Sequence, residues 1–216
     1  MTKSLPTVLL TGFTPFDGDA LNPSWQAVRA LDGRRIAGHR VVAVELPTEF
    51  GAALPALRRT LRVARPRLAI AFGLAGGRAG ISLERVAINV IDARIPDNAG
   101  AQPIDVPVLR SGPAAYFSTL PIKAMLAALQ QSDISADISQ TAGTYVCNQV
   151  FYALMHAARR QRFRAGFVHV PWLSGQATRH AAPGMPLAQM QQAAAIIVRV
   201  ALTTAGDARR SGGAEA

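Results

Sequence analysis

Short apolar runs alternate with longer amphipathic stretches through most of this chain, and that alternation leaves few folds open. Segments 7–10, 41–46, 67–74, 86–92, 134–139 and 166–170 are short and rich in Val, Ile and Leu. Several are apolar without a polar break, the pattern of strands covered on both faces. Between them lie helical patterns. One opens at Asn22-Pro23, with Asn22 as N-cap and Pro23 at the first helical position. The others are 50–64, which places Leu54, Leu57 and Leu61 on one face, then 122–131, 148–160 and 187–204. Strand–helix alternation predicts α/β architecture: a single-domain three-layer α/β/α sandwich with a largely parallel open sheet. The 216 residues, half of them hydrophobic, suffice for one such core. The domain is expected over 1–205, followed by a disordered tail, 206–216, of Gly, Ala and charge.

One segment breaks the alternation. Residues 94–121 hold prolines at 96, 103, 107, 113 and 121 and show no sustained period. Val108, Tyr116 and Phe117 recur through it, so an interface or a substrate arm is expected rather than a linker.

The formal net charge is +10, which raises the question of a polyanion partner. Nearly all of that charge is arginine, since Lys3 and Lys123 are the only lysines. Arg58, Arg59, Arg62, Arg65 and Arg67, then Arg159, Arg160, Arg162 and Arg164, fall on or just after helical patterns, where a solvated face is the ordinary reading. No nucleic-acid-binding module accompanies them, so no nucleic-acid partner is expected. No apolar run is long enough to span a bilayer, and the first residues lack the apolar region of a secretory signal. A cytoplasmic protein without a membrane partner is expected. The single cysteine, Cys147, excludes a disulfide within one chain and any site built on two thiolates. The absence of His-x-x-x-His or Cys-x-x-Cys spacing argues against a dedicated metal site.

Cys147 lies just past one predicted strand and at the opening of a predicted helix. A thiol there feels the positive end of the helix dipole, which favours thiolate. A nucleophile also needs a base. His156, nine residues on in the same helix, is turned through ~900° and faces away. His39 has no motif around it. His169 lies near the end of the next predicted strand, one right-handed crossover from Cys147, so both can meet at one sheet edge. His180, in the loop beyond, is the reserve. A carboxylate should orient the imidazole. Glu84 and Asp92 flank the apolar run 85–91, and spacing does not choose between them. The glycine-rich turn 73–80 fits neither the Walker pattern nor Gly-x-Gly-x-x-Gly, which argues against a nucleotide site.

These residues sit within blocks that resemble one family. The blocks are Gly12-Phe13-Thr14-Pro15-Phe16 with Asn22-Pro23-Ser24-Trp25, Ala75-Gly76-Gly77-Arg78, Glu84 to Val90, Asp92 to Asn98, Gly112 to Phe117, Thr141 to Asn148, and Gly166 to Pro171. In this order, from about Val8 to Gln176, they resemble the pyroglutamyl peptidase I (pyrrolidone-carboxylate peptidase) family of cysteine peptidases. The resemblance implies one α/β domain, often assembled as a homotetramer, that removes an amino-terminal pyroglutamyl residue from peptides without a cofactor. It assigns Cys147 as nucleophile, His169 as general acid/base and Glu84 as the third member. It also places Arg94 near the reacting carbonyl, and Phe13, Phe16, Asn22, Tyr145 and Val146 around the substrate ring. A flat, uncharged lactam suits such apolar walls with a few hydrogen-bond partners.

The chain departs from the family pattern at three places. Leu74 stands where the family carries glutamine near the substrate. Leu173-Ser174-Gly175-Gln176 replaces an acidic ending, and Tyr145 replaces phenylalanine. Leu74 and Gly175 motivate the alternative: a catalytically weak relative that binds pyroglutamyl-ended peptides or another small ligand.

Overall fold

The computed structural model describes residues 5–209 and 211–213. The chain runs β1 (Thr7–Phe13), α1 (Pro23–Arg29), β2 (Arg35–Ile36), β3 (His39–Leu46), α2 (Phe50–Ala64), β4 (Leu68–Leu74), β5 (Ile81–Glu84) and β6 (Val86–Ile88). It continues with β7 (Ala115–Phe117), α3 (Ile122–Gln130), β8 (Ala136–Ser139), α4 (Val146–Gln161) and β9 (Arg164–Val170). Then come β10 (Trp172–Leu173), α5 (Ser174–Ala177), β11 (Gly184–Met185) and α6 (Leu187–Thr203).

The central sheet has the order β2-β3-β1-β4-β9-β5-β8. Strands β3, β1, β4 and β9 run parallel, as the unbroken apolar runs require. Alternate residues of β1 feed two cores. Val8 and Leu10 join α1, α3 and α6 on one face, while Leu9 and Phe13 join α2 and α4 on the other. This is the three-layer sandwich expected from the alternation.

One edge differs from expectation. The apolar run 86–92 is not a strand of the central sheet. Its first part forms β6, which pairs with β7 in a separate two-stranded ladder. The sheet strand is β5, whose Ser82 and Glu84 make it look polar although all four of its residues are buried. β5 runs antiparallel to β9 and parallel to β8, so the sheet is mixed at this edge.

Segment 94–121 folds back onto the domain. Val106 bridges Ile91, and Asn89 holds Leu109 through both its backbone N–H and its C=O. The segment still exposes Ile104, Val106 and Phe117. Its buried Asp97 caps a helix from 47 residues away: α2 has no side-chain cap of its own, and Asp97 Oδ2 accepts from Phe50 N at 2.6 Å. Asp97 Oδ1 accepts from Ala99 N and Ala101 N.

One further expectation is adjusted. Arg164 is not part of a solvated face; it donates to the Ala201 and Thr204 carbonyls at the end of α6. Beyond α6, described residues of 206–213 bond to α3 and to Arg85, while 210 and 214–216 lie outside the described residues. Asp207 accepts from Lys123 N and Ala124 N at the start of α3, and Gly212 O accepts from Arg85.

Replacing Asp97 with alanine leaves the Phe50 N–H buried without a partner and frees two more. Asp97→Ala is expected to lower the unfolding free energy by about 3 kcal/mol. Urea unfolding followed by circular dichroism checks this, and an unchanged midpoint contradicts the cap.

Candidate active site

Three neighbouring parallel strands end at one edge of the sheet and supply Phe13, Leu74 and His169. Their side chains help line a cavity of about 290 Å³. Phe16, Asn22, Thr48, Arg78, Tyr145 and Cys147 complete most of its wall.

Cys147 reaches this edge by a route other than a simple crossover. β8 runs against β9 and is separated from it by β5, so the carboxyl end of β8 points the other way. Residues 140–145 climb back before α4 begins, with Asp92 N donating to Thr144 O on the way. Cys147, in the first turn of α4, then rests against the end of β4. A methyl group on Gly73 would stand 2.8 Å from Cys147 Sγ and 2.8 Å from the Phe167 ring.

Glu84 meets His169 across the β5–β9 ladder. Ser82 is opposite His169 and Glu84 opposite Phe167, so Glu84 and His169 are diagonal neighbours on one face. Glu84 Oε1 lies 2.7 Å from His169 Nδ1 and also accepts from Arg78 Nη1 at 2.7 Å. Both Glu84 and His169 are buried. Burial alone would raise the Glu84 carboxyl above its ordinary 4.5. The hydrogen bond and charge of His169, the nearby Ser139 hydroxyl and the Arg78 cation outweigh it, and the carboxyl is held below that value. An ionised Glu84 accepts the proton on Nδ1, so neutral His169 presents a lone pair at Nε2, the tautomer a general base needs.

The thiol does not behave as the helix position alone suggests. Its burial, then the Glu84 carboxylate, push Cys147 up to about 12 against the pull of Arg78. Both causes favour the protonated thiol over the thiolate in the empty site. A dipole at one helix end does not offset desolvation beside a buried carboxylate.

The expected substrate residues divide. Phe13, Phe16, Leu74 and Tyr145 line the cavity; Asn22 does too, but its side chain is occupied. Asn22 Oδ1 accepts from Ser24 N and Ser24 Oγ as the cap of α1, and Nδ2 donates to Thr14 O. The Tyr145 hydroxyl donates to Pro96 O and fastens segment 94–121 to the rim. Val146 is fully buried behind the wall, and Arg94 is exposed and outside the cavity lining. His180 is engaged elsewhere, stacked on Trp172 and paired with Asp19. His156 meets Tyr116 farther along α4. Gly175 lies in α5, where the neighbouring Gln176 donates to Leu21 O and so steadies the loop carrying Phe16 and Asn22. Arg78 stands in the sequence only as the last residue of the family block Ala75-Gly76-Gly77-Arg78, with no role attached to it. The clue was a carboxylate, Glu84, too deep in the fold to stay ionised without a cation nearby.

The sequence model of the family described as pyroglutamyl peptidase matches residues 6–207. A pyrrolidone-carboxylate peptidase of Erwinia tasmaniensis is 55% identical over 208 residues, covering 96% of this chain and 98% of its own. One from Chromobacterium violaceum is 56% identical over 212 residues, covering 97% and 99%. Among solved structures, pyroglutamyl peptidase I of Bacillus amyloliquefaciens superposes with a TM-score of 0.93 at 40% identity, covering 96% of this chain and 100% of that one.

Two outcomes follow from the geometry. Gly73→Ala drives a methyl into Cys147 Sγ and Phe167; it should cost about 1–3 kcal/mol of stability and displace the thiol. Thermal unfolding and thiol titration check both effects. Second, iodoacetamide should alkylate Cys147 in the empty protein at a rate that climbs with pH from 7 to 9. A rate that is flat from acidic to neutral pH would mean a preformed thiolate and contradict the protonated thiol.

Proposed function

The chain belongs to the pyroglutamyl peptidase family, whose members are cysteine peptidases, and we propose that it hydrolyses the bond after an amino-terminal pyroglutamyl residue through Cys147, His169 and Glu84. One observation carries this reading. The lone thiol shares a cavity with an imidazole whose Nδ1 is held by a buried, ionised carboxylate.

The chemistry follows from the protonation states. Cys147 gives its proton to His169 Nε2 as sulfur attacks the pyroglutamyl carbonyl carbon, which moves the carbonyl π electrons to oxygen. Glu84 stabilises the imidazolium that forms and keeps it aimed. The C–N bond then breaks and His169 protonates the leaving amine. A water, deprotonated by His169, cleaves the thioester and returns the thiol. Forming the thiolate only as the proton leaves suits a thiol that rests protonated. The developing oxyanion is addressed by backbone N–H groups of the first turn of α4, which has no side-chain cap. Arg94, outside the cavity lining, is not assigned this role.

Phe13, Phe16, Leu74 and Tyr145 provide the apolar and aromatic walls that a flat lactam needs. With Asn22 committed to its cap, the polar contacts to the ring fall to backbone groups. No step calls for a cofactor. The exposed Ile104, Val106 and Phe117 on segment 94–121 support association with further copies of the chain, consistent with a homotetramer. A nucleophilic thiol that must stay reduced supports a cytoplasmic setting.

A second reading, a weak relative that binds pyroglutamyl-ended peptides, is favoured by Leu74 alone. Calorimetry that finds such peptides bound but uncleaved selects it.

A fluorogenic pyroglutamyl amide should be turned over by the reduced protein, and Cys147→Ala should lower kcat by at least about 10³-fold. Glu84→Gln should lower kcat with little change in KM. Leu74→Gln should raise kcat/KM by up to about tenfold, the worth of one neutral hydrogen bond. Undiminished turnover by Cys147→Ala would overturn the assignment.

A further inference from the structure

The reaction above leaves one charged residue of the cavity wall without a task. Arg78 lies in the turn between β4 and β5, with its side chain 30% exposed. Its Nη1 donates to Glu84 Oε1 at 2.7 Å, and its Nη2 donates to Thr141 O at 3.0 Å. Glu84 Oε1 thus accepts from His169 and Arg78 together, while Oε2 has no hydrogen-bond partner among the described residues. Thr141 opens the run that leads to Cys147. Its carbonyl also accepts from Ser139 Oγ, and its hydroxyl accepts from Gly143 N.

We infer that Arg78 is a positioning residue: with one arm it fixes Glu84 for His169, and with the other it holds the loop that delivers Cys147. The inference rests on the peptidase reading for its kinetic readout, though not for its geometry. The guanidinium is planar and presents donors in a rigid fork, so one side chain can span a carboxylate and a carbonyl. Lysine supplies a point charge and cannot hold both partners in a fixed plane.

The groups facing Glu84 define what its loss would do. They are His169 from β9, the Ser139 hydroxyl from β8, the Cys147 thiol from α4, and Arg78. Arg85, next in the chain, turns away to Gly212 O. Arg78 is therefore the permanent cation of the cluster among the described residues. Without it, protonation of Glu84 becomes easier, and a protonated Glu84 no longer accepts from Nδ1. The acid limb of activity must then move to higher pH.

Two other roles make different predictions. A residue that contacts substrate would act on KM, and a salt bridge serving only the fold would act on stability alone. The test compares Arg78→Met and Arg78→Lys with the unaltered protein, using a pyroglutamyl amide across pH. Arg78→Met should lower kcat by roughly ten- to a hundredfold, the usual effect of losing a partner that orients a reacting group. Its KM should change by less than about threefold, and the acid limb of kcat/KM should rise by about one pH unit. Millimolar guanidinium ion should restore part of the rate. Arg78→Lys should keep the acid limb in place yet recover only part of kcat, because it restores charge without the bond to Thr141. A rise in KM alone overturns the inference, as does a folded Arg78→Met protein with unaltered kcat and acid limb.

Nitrogen NMR of the His169 ring gives a readout independent of turnover. The Nδ1-protonated tautomer should dominate in the unaltered protein and give way to a mixture in Arg78→Met. If the protein cleaves no pyroglutamyl amide, this tautomer change still upholds the role of Arg78 while the peptidase reading fails. An unchanged tautomer overturns it. If Arg78→Met does not fold, the Lys protein carries the test, and full kcat there overturns the second arm.

Discussion

A charge buried at the edge of the sheet governs this site. Glu84 has no exposed surface, and a carboxylate in that position costs several kcal/mol unless hydrogen-bond donors or a cation meet it. His169 and Arg78 meet it on one oxygen. That arrangement accounts for the mixed sheet at this edge. β5 must pass beside β9 so that Glu84 reaches His169, and the antiparallel register puts the two on the same face. It also acts on the thiol. The negative charge that orients the imidazole raises the cost of a second negative charge on Cys147. In the proposed reaction the thiol is activated by proton transfer to His169 at the moment of attack.

Shape reinforces that electrostatics. Cys147 Sγ and Phe167 crowd the space where Gly73 lacks a side chain, so a glycine at the end of β4 makes room for the thiol. The Phe167 ring also packs against the His169 ring, with centroids 4.8 Å apart. Cys147 and His169 therefore rest on the core and not on a loop, which limits the rotamers they can explore.

Much of the fold was legible because period and burial agree. Helix α2 matches the pattern over 50–64 exactly as the leucine spacing requires, and the parallel strands appear where apolar runs are unbroken. β5 was not legible. Ser82 and Glu84 look like surface residues, and it is the pairing of β5 between β8 and β9 that buries both. The same non-local logic hid Arg78, whose role depends on a residue across a turn and a carbonyl 63 positions away. The resemblance to a known family supplied Cys147, His169 and Glu84 as a set. The path between the first two differs from the expected crossover, since β8 runs antiparallel to β9 with β5 between them. Asn22 was read both ways, as cap and as pocket residue, and its cap bonds use the side chain.

The proline-rich segment 94–121 shows why an irregular stretch can be as structural as a strand. Asp97 closes the N-terminus of α2, Asn98 N donates to Thr48 O, and Asn98 Nδ2 donates to Pro15 O, next to Phe16. Pro96 O accepts from Tyr145, two residues before Cys147. Three consecutive residues thus tie the loop after β1, the approach to α2 and the entry to α4. Phe16, Thr48 and Tyr145 come from parts of the chain far apart in sequence, and each lines the same cavity. A strap bonded to all three regions fixes the spacing of the walls, which is what a small rigid ring demands of its pocket. Prolines suit that duty because they lower the entropy lost when the strap is ordered.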